Sequence, residues 1–175
     1  MNANALPQAV RSAMGLVLLV AVGLASAPAD ASIRYVRQEI RGMDCAPCAY
    51  GMQKSLRKLD GVQDVQVSLN DAMGTLTLAP DNAVTFEQIR AVVRDGGFKP
   101  MAATARIAGS LERDGDRWRL NTQDGRRYTL DVDSGDSDQL QALADARQVL
   151  VTVRVPVDAE PAEHLRVEEL SELTE

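Results

Sequence analysis

The chain has few of the residues that enzymes use for chemistry. Its 175 residues include one histidine and two cysteines, and only 3% of them are aromatic. A catalytic site needs a nucleophile, a base and a group that orients them, and so few candidates leave little from which to build one. The composition therefore indicates a binding protein and not an enzyme.

The sequence also lacks an excess of positive charge, with a formal net charge of −6 at pH 7. Residues 32–103 carry nine basic and eight acidic side chains, whereas residues 104–175 carry nine arginines, no lysine and sixteen acids. Proteins that bind nucleic acids need clustered positive charge that faces the phosphates. The charges therefore argue against a nucleic-acid partner, and their step along the chain favours two domains.

No apolar run reaches the ~20 residues that a membrane-spanning helix needs. Residues 1–31 contain a lone Arg11, an apolar run from Ala13 to Ala25, and small residues that end at Ala31. This is the layout of a cleavable secretory signal peptide, with the cut after Ala31. We therefore expect a periplasmic or secreted mature chain that begins near Ser32 and keeps no membrane span.

The first half of the mature chain alternates between strand and helix patterns. Residues 33–41, 61–69 and 74–78 read as strands, and a further strand begins at Lys99. Apolar residues recur at helical spacing over residues 47–59 and 86–95, and Thr85 is suited to cap the second helix. The predicted order is βαββαβ, the split unit of ferredoxin-like α+β folds, over residues 32–103.

Both cysteines lie in the stretch "GMDCAPC", residues 42–48. Soft metal cations prefer thiolate sulfur, and Cys45 and Cys48 on a loop that turns into a helix can direct both sulfurs at one ion. The unpaired N–H groups of the helix N-terminus favour the thiolate form. Two thiolates suit Cu(I) or Hg(II), whereas Zn(II) usually takes four ligands.

The stretch "GMDCAPCAYGMQKSLRKLDGVQDVQVSL", with the later "GTLTL" and "IRAVVRDGGF", resembles a heavy-metal-associated domain. Copper chaperones, periplasmic mercury-binding proteins and the N-terminal extensions of metal-pumping P-type ATPases contain this domain. The resemblance covers about residues 33–103 and includes the G-M-x-C-x-x-C signature. It implies that Cys45 and Cys48 hold one soft metal ion, which is exchanged with a metal-donor or metal-acceptor protein. It also implies that Met43 packs under the loop and that Phe98 shields the site from water.

Asp44 bears on the choice of metal. The order Met-Asp-Cys resembles the pattern in ATPases that export zinc, cadmium and lead, in which the aspartate can supply a carboxylate oxygen. A carboxylate is a hard ligand that suits Zn(II) better than Cu(I). The alternative interpretation is that Asp44 is an exposed acid favoured by the helix dipole. Cu(I) is our first choice, and Zn(II), Cd(II) and Hg(II) are alternatives in the same site.

The cysteine pair has two rival interpretations. "CAPC" resembles the C-x-P-C of thioredoxin-like oxidoreductases, although the compact βαββαβ order and the acidic Asp44 count against that chemistry. A structural disulfide would close only a tiny loop and so constrain the unfolded chain little. The same pair could nevertheless oxidise when no metal is bound. Lys54, Arg57 and Lys58 on the first helix are either a docking face for an acidic partner or an ordinary solvated surface.

The second half reads as five strands with one helix between the third and fourth. The strand patterns cover residues 105–113, 117–122, 126–132, 147–157 and 164–170, and the helix pattern covers residues 136–146. This is the order of an OB-fold barrel, on pattern alone. We therefore expect residues 104–175 to form a small OB-like barrel with Trp118 and Tyr128 in its wall. In the last strand, Leu165 and Val167 alternate with residues on the other face, among them Leu170.

Two further features of the second half are expected to have no metal role. His164 lies at a predicted junction between a loop and a strand, and we expect it to be exposed. The acids Asp131, Asp133, Asp136 and Asp138 lack the glycine and terminal glutamate of a calcium-binding loop. We expect them to form a solvated loop, and we expect the whole protein to be a monomer.

Overall fold

A computed structural model describes residues 33–133, 135–145, 148–157 and 164–172 of the chain. The predicted signal peptide, residues 1–31, lies outside these described residues. Within them, no helix combines the length and the apolar character that crossing a membrane requires.

The first half has the predicted βαββαβ order of a ferredoxin-like α+β fold. Its elements are β1 (Ile33–Arg41), α1 (Ala46–Leu56), β2 (Val62–Ser68), β3 (Met73–Leu78), α2 (Phe86–Asp95) and β4 (Lys99–Asp114). The strands form an antiparallel sheet in the order β2-β3-β1-β4. The observed bounds therefore confirm the pattern that the local periodicity predicts.

Both helices pack their apolar faces on one side of this sheet. The hydroxyl of Thr85 accepts from the Gln88 amide at 3.0 Å, and the Gln88 side chain accepts from the Thr85 amide at 2.9 Å, so a capping box starts α2. Ile89 on α2 and Leu56 on α1 are fully buried against the sheet residue Leu76 and its neighbours. Burying one such aliphatic side chain stabilises the fold by about 1.5–3 kcal/mol.

The second half closes into a five-stranded barrel. Its further elements are β5 (Arg117–Asn121), β6 (Arg127–Asp131), α3 (Asp136–Leu143), β7 (Val149–Val155) and β8 (His164–Glu172). The strands follow the order β4-β5-β6-β8-β7, and β7 pairs with β4 to close the ring. All these pairings are antiparallel except that of β6 with β8. Trp118 and Tyr128 are buried in the core, as their expected place in the wall requires.

Strand β4 belongs to both halves of the protein. Its residues 103–107 pair with β1 on one side and with β7 on the other, and its later residues pair with β5. The domain boundary expected between residues 103 and 104 therefore falls inside a continuous strand. Buried residues of the two halves also form one connected hydrophobic core.

Two arginines tie the loops of one half to the other half. The buried Arg90 on α2 donates from Nη2 to the carbonyl of Pro156, just after β7, at 2.5 Å. Arg126, before β6, donates from Nη1 to the carbonyl of Val84 at 3.2 Å. Hydrogen bonds that satisfy backbone carbonyls across the junction help to fix the relative orientation of the two halves.

The last strand departs from the alternation that its sequence predicts. Leu165, Val167 and Leu170 are all buried, whereas the pattern places Leu170 on the face opposite to the other two. The reason is a register shift in the pairing of β7 with β8, between Thr152 and Val153. One extra residue in β8 at this bulge returns Leu170 to the interior, so the predicted face of Leu170 is wrong.

Candidate metal centre

The loop between β1 and α1 is fixed at its start by two residues. Gly42 adopts φ 93°, a left-handed conformation that glycine enters without the steric cost of a side chain. Met43 follows and is only 8% exposed, inside the hydrophobic core. This burial confirms the expectation that Met43 packs under the loop. Met43 thereby anchors the loop, and the next residue, Asp44, is exposed.

Cys45 is the N-cap of α1. Its backbone is extended, with φ −136° and ψ 144°, and its Sγ accepts from the backbone N–H of Cys48 at 3.2 Å. Its carbonyl also accepts from the amides of Cys48 and Ala49, at 3.0 and 3.2 Å. Pro47 lies in the first turn, where a missing N–H costs no helical hydrogen bond. The cysteine sulfurs therefore lie where unpaired helix amides concentrate positive potential.

Cys45 and Cys48 form a disulfide in this structure, with their Cα atoms 5.2 Å apart. In this form the two sulfurs are bonded to each other. Metal binding by the pair requires a two-electron reduction to the thiols and then loss of the thiol protons, because the thiolate is the metal ligand. The oxidised pair is the metal-free form that the sequence analysis allows.

Asp44 joins the two cysteines in one cluster. One carboxylate oxygen of Asp44 and the two Sγ atoms all lie within 4.8 Å of one another. Asp44 is exposed, whereas both cysteines are partly buried. In the part of the chain that the structure describes, this is the one group of three or more potential metal-ligating side chains. The structure thus brings together all three of the residues named from the sequence.

A shallow hollow opens beside Cys48 between the two helices. Phe98, the residue immediately before β4, lines this hollow together with Pro47, Met52 and Gly96. A Cβ added at Gly96 would lie 2.6 Å from Met52 Cε and 3.3 Å from Phe98 Cδ2, so this glycine permits close packing under the loop. Phe98 and Cys48 therefore line the same hollow.

Tyr50 is an exposed aromatic residue of α1 for which no role was expected from the sequence. It lies two positions after Cys48, and 72% of its surface is exposed. The buried residues of α1 are Ala49, Met52 and Leu56. A large aromatic residue at position 50 lies outside this helical spacing, and that is the signal in the sequence by which it could have been found. The ring is therefore an exposed aromatic surface on α1.

The remaining predicted features lie away from the cysteines. His164 is exposed at the start of β8, with Nδ1 3.9 Å from Asp131 Oδ1, and it is not part of the metal-ligating cluster. Lys54 is exposed on α1, and Arg57 and Lys58 are exposed just after its last residue. Of the other acids expected in a solvated loop, Asp133 is exposed between β6 and α3, whereas Asp136 and Asp138 lie in the first turn of α3, so the expectation of a loop is wrong for these two. None of the three belongs to the cluster.

Comparison with known proteins identifies the first half. Residues 39–99 match the heavy-metal-associated domain family. Copper-transporting ATPase 1 of Rhizobium meliloti (strain 1021) is 34% identical over 91 residues, which are 52% of this chain and 10% of that protein. Human copper-transporting ATPase 2 is 35% identical over 60 residues, 34% of this chain and 4% of that protein. The chain thus spans about a tenth or less of the length of these two relatives.

Solved structures that resemble the chain include the yeast copper transporter domain CCC2A, determined in apo and Cu(I)-loaded states. It is 33% identical, covers 38% of this chain and 90% of its own, and gives a TM-score of 0.36. The family match contains the Gly42–Cys48 stretch, both helices and the hairpin of β2 and β3. Residues 39–99 therefore match the heavy-metal-associated domain family, and this part of the chain is similar to copper-transporting ATPases.

Proposed function

We propose that the protein binds one soft metal ion between Cys45 and Cys48 and passes it to other proteins or withholds it from them. Cu(I) is the first choice for this ion. The observation that carries the proposal is the convergence of two partly buried sulfurs at the N-terminus of α1 in a heavy-metal-associated domain. The similarity to copper-transporting ATPases supports Cu(I) over other soft ions.

Loading of the site begins with the disulfide. Two electrons and two protons from a dithiol reductant convert the bonded pair to two thiols, and the reductant becomes a disulfide. Each thiol then loses its proton as its sulfur binds the cation. The helix amides near Cys45, including the Cys48 N–H at 3.2 Å from Sγ, stabilise negative charge on that sulfur.

Release of the ion requires access for a second protein. The loop is exposed at Asp44, Ala46 and Pro47, so an incoming thiolate can reach an ion held by two sulfurs from the solvent side. That thiolate binds while one of the two cysteine sulfurs leaves, and the number of metal–sulfur bonds is conserved. This exchange is the step that a metal carrier performs, and it needs no general acid or base.

Asp44 supports a second candidate, Zn(II) binding, because its oxygen lies within 4.8 Å of both sulfurs. A carboxylate adds a hard ligand that favours Zn(II) over Cu(I). Cd(II) and Hg(II) are further candidates for the same sulfurs. The disulfide supports a third role, thiol–disulfide exchange, which differs from metal binding in that it turns over a substrate.

The remaining parts of the proposal concern the rest of the chain. Residues 1–31 would act as a secretory signal, which would place the mature protein in the periplasm or outside the cell. The barrel would be OB-like, because its strand order β4-β5-β6-β8-β7 and the helix between its third and fourth strands follow that fold. Its role in this scheme is to face a partner, with metal transfer left to the first half.

The test is a competition titration of the reduced chain without residues 1–31 against chromophoric chelators for Cu(I) and Zn(II). We expect one Cu(I) per chain, binding that is lost in Cys45→Ser and in Cys48→Ser, and no effect of Asp44→Ala. Asp60→Ala, which removes another exposed acid, is the matched control. Zn(II) affinity that falls in Asp44→Ala would instead assign the site to divalent metals. Turnover of a disulfide substrate without metal binding would refute the proposal.

A further inference from the structure

The side of the sheet that the helices leave uncovered continues from the first half into the barrel. Because residues 103–107 of β4 pair with β1 and with β7, six strands lie side by side in the order β2-β3-β1-β4-β7-β8. Val36, Ala105 and Val153, which are fully buried, point to the core side. Their neighbours along each strand point the other way, onto what we call the open face.

Pairing registers place the residues of the open face in two rows that cross the strands. The first row contains Gln66, Thr75, Arg37, Thr104, Arg154 and Arg166. The second row contains Asp64, Thr77, Tyr35, Arg106, Thr152 and Glu169. Four arginines from four different strands therefore share one face of a chain whose net charge is −6.

These arginines are poorly neutralised within the chain. Arg37, Arg106, Arg154 and Arg166 are exposed, and Arg154 lies directly opposite Arg166. Like charges directly opposite each other destabilise a strand pair. In the described ranges no carboxylate lies within ion-pair distance of Arg37 or Arg166, and the nearest carboxylate oxygen to Arg154, on Glu168, is 3.9 Å away. A face that keeps this repulsion is suited to an anionic ligand.

Arg106 is held in place by an aromatic ring. Its guanidinium carbon lies 4.9 Å from the centre of the Tyr35 ring. Stacking on a ring leaves the edge N–H groups of a guanidinium available to an acceptor, and its planar fork matches a carboxylate. Adjacent strands lie about 4.8 Å apart, so Arg166 is about 5 Å and Arg37 about 10 Å from Arg154 along the row.

We propose that the open face docks an acidic segment of another protein. The separate carboxylates of such a segment can contact the arginines one by one. They can also avoid Asp64, Glu168 and Glu169, which lie beside the arginines on the same face. A continuous anionic membrane would meet those acids as well. The exposed large apolar residues of the described chain, Tyr50 and Val157, also lie outside the two rows. The partner would cover the side of the sheet away from α1 and leave the cysteine loop accessible.

The test uses a fluorescein-labelled oligoglutamate peptide as the probe and anisotropy as the measurement. The double variant Arg37→Glu with Arg154→Glu reverses charge on the open face. Arg117→Glu with Arg127→Glu makes the same charge change at exposed positions of β5 and β6, outside the six-stranded face. We expect the wild type and the control to bind the peptide alike, and the open-face variant to bind at least about tenfold more weakly.

A neutral pair, Arg37→Gln with Arg154→Gln, keeps the test valid if charge reversal disturbs the fold, and circular dichroism checks each variant. Equal weakening in the open-face and control variants would mean that only net charge matters and would overturn the proposal. Absence of peptide binding by the wild type at low salt would also overturn it. Binding to phosphatidylglycerol vesicles that depends on the open-face arginines, without peptide binding, would assign the face to a membrane. Loss of metal binding in the cysteine variants leaves this docking unaffected, so the two proposals fail separately.

Discussion

The substitution Gly109→Ala tests the inference that β4 unites the two halves. Gly109 pairs with Val149 of β7 and immediately precedes the residues of β4 that pair with β5. A Cβ at this position would lie 2.6 Å from the carbonyl oxygen of Asn121, and 3.0 and 3.1 Å from Cδ1 and Cγ of Leu120. Leu120 is fully buried and the carbonyl belongs to strand β5, so neither neighbour can move without displacing the barrel wall.

The expected cost follows from two opposing terms. An added methyl in a filled core costs about 1–3 kcal/mol, because side chains and backbone must shift. Alanine restricts the unfolded chain more than glycine does, which offsets about 0.4–1 kcal/mol of that cost. The middle of the range that these two terms allow is a decrease of about 1–2 kcal/mol in the free energy of unfolding, which we expect for Gly109→Ala.

Gly51→Ala is the matched control. Gly51 is exposed on α1, and nothing lies within 4 Å of a Cβ built there. Glycine within a helix is less stable than alanine by about 0.5–1 kcal/mol, so this substitution should raise the free energy of unfolding by that amount. The same chemical change is thus expected to have opposite signs at the two positions.

The assay is urea unfolding followed by two probes. Fluorescence of the single tryptophan, Trp118, reports on the barrel, and far-ultraviolet circular dichroism is dominated by helix, most of it in α1 and α2. Because the core is continuous, both probes should give one transition, and Gly109→Ala should shift them together. A shift of the fluorescence transition alone would show that the halves unfold independently and refute the reasoning. An unchanged midpoint would refute the steric argument.

Two further predictions concern buried polar groups. Arg90→Leu removes the donor to the Pro156 carbonyl and should lower the free energy of unfolding, measured in urea, by about 1–3 kcal/mol, whereas Arg117→Leu, at an exposed position, should change it little. Burial raises the pKa of Tyr128 above its ordinary value of 10.0, against the lowering effect of its hydrogen bond with Arg126. As the pH rises, the unfolded chain therefore loses the Tyr128 phenol proton before the folded chain does. The contribution of Tyr128 to the free energy of unfolding is constant below pH 10 and declines as the pH rises further. Tyr128→Phe should remove this part of the alkaline decline in stability, and identical alkaline unfolding curves for the two proteins would contradict the assignment.

The cysteine site was predictable because its determinants are local. The motif from Gly42 to Cys48 specifies a turn and a helix start within seven residues of sequence, whereas the position of Met43 under the loop was implied by the family resemblance. Helical spacing over α2 and the capping pair Thr85 and Gln88 likewise act within one or two turns. Features that depend only on residues close together in the sequence can be predicted from the sequence.

The shared strand was not predictable in this way. Periodicity predicts one strand from Lys99 and another over residues 105–113, but it does not show that they are one continuous strand or which strands lie on each side. The charge step near residue 103 is a property of the surface, whereas Ala103, Ala105 and Ile107 continue one buried row across it. The bulge that turns Leu170 inward also depends on its partner strand β7, and one extra residue there reverses the face of everything after it.

The shared strand has a consequence for how the metal site would be used. A barrel on a flexible linker would leave the cysteine loop free to sample many orientations relative to anything that the barrel binds. Here β4 passes from one sheet to the other without interruption, and Arg90 and Arg126 bridge the junction. A partner that docks on the open face would therefore be held in one fixed orientation relative to the cysteine loop, and the loop would stay accessible to a different protein that donates or accepts the ion.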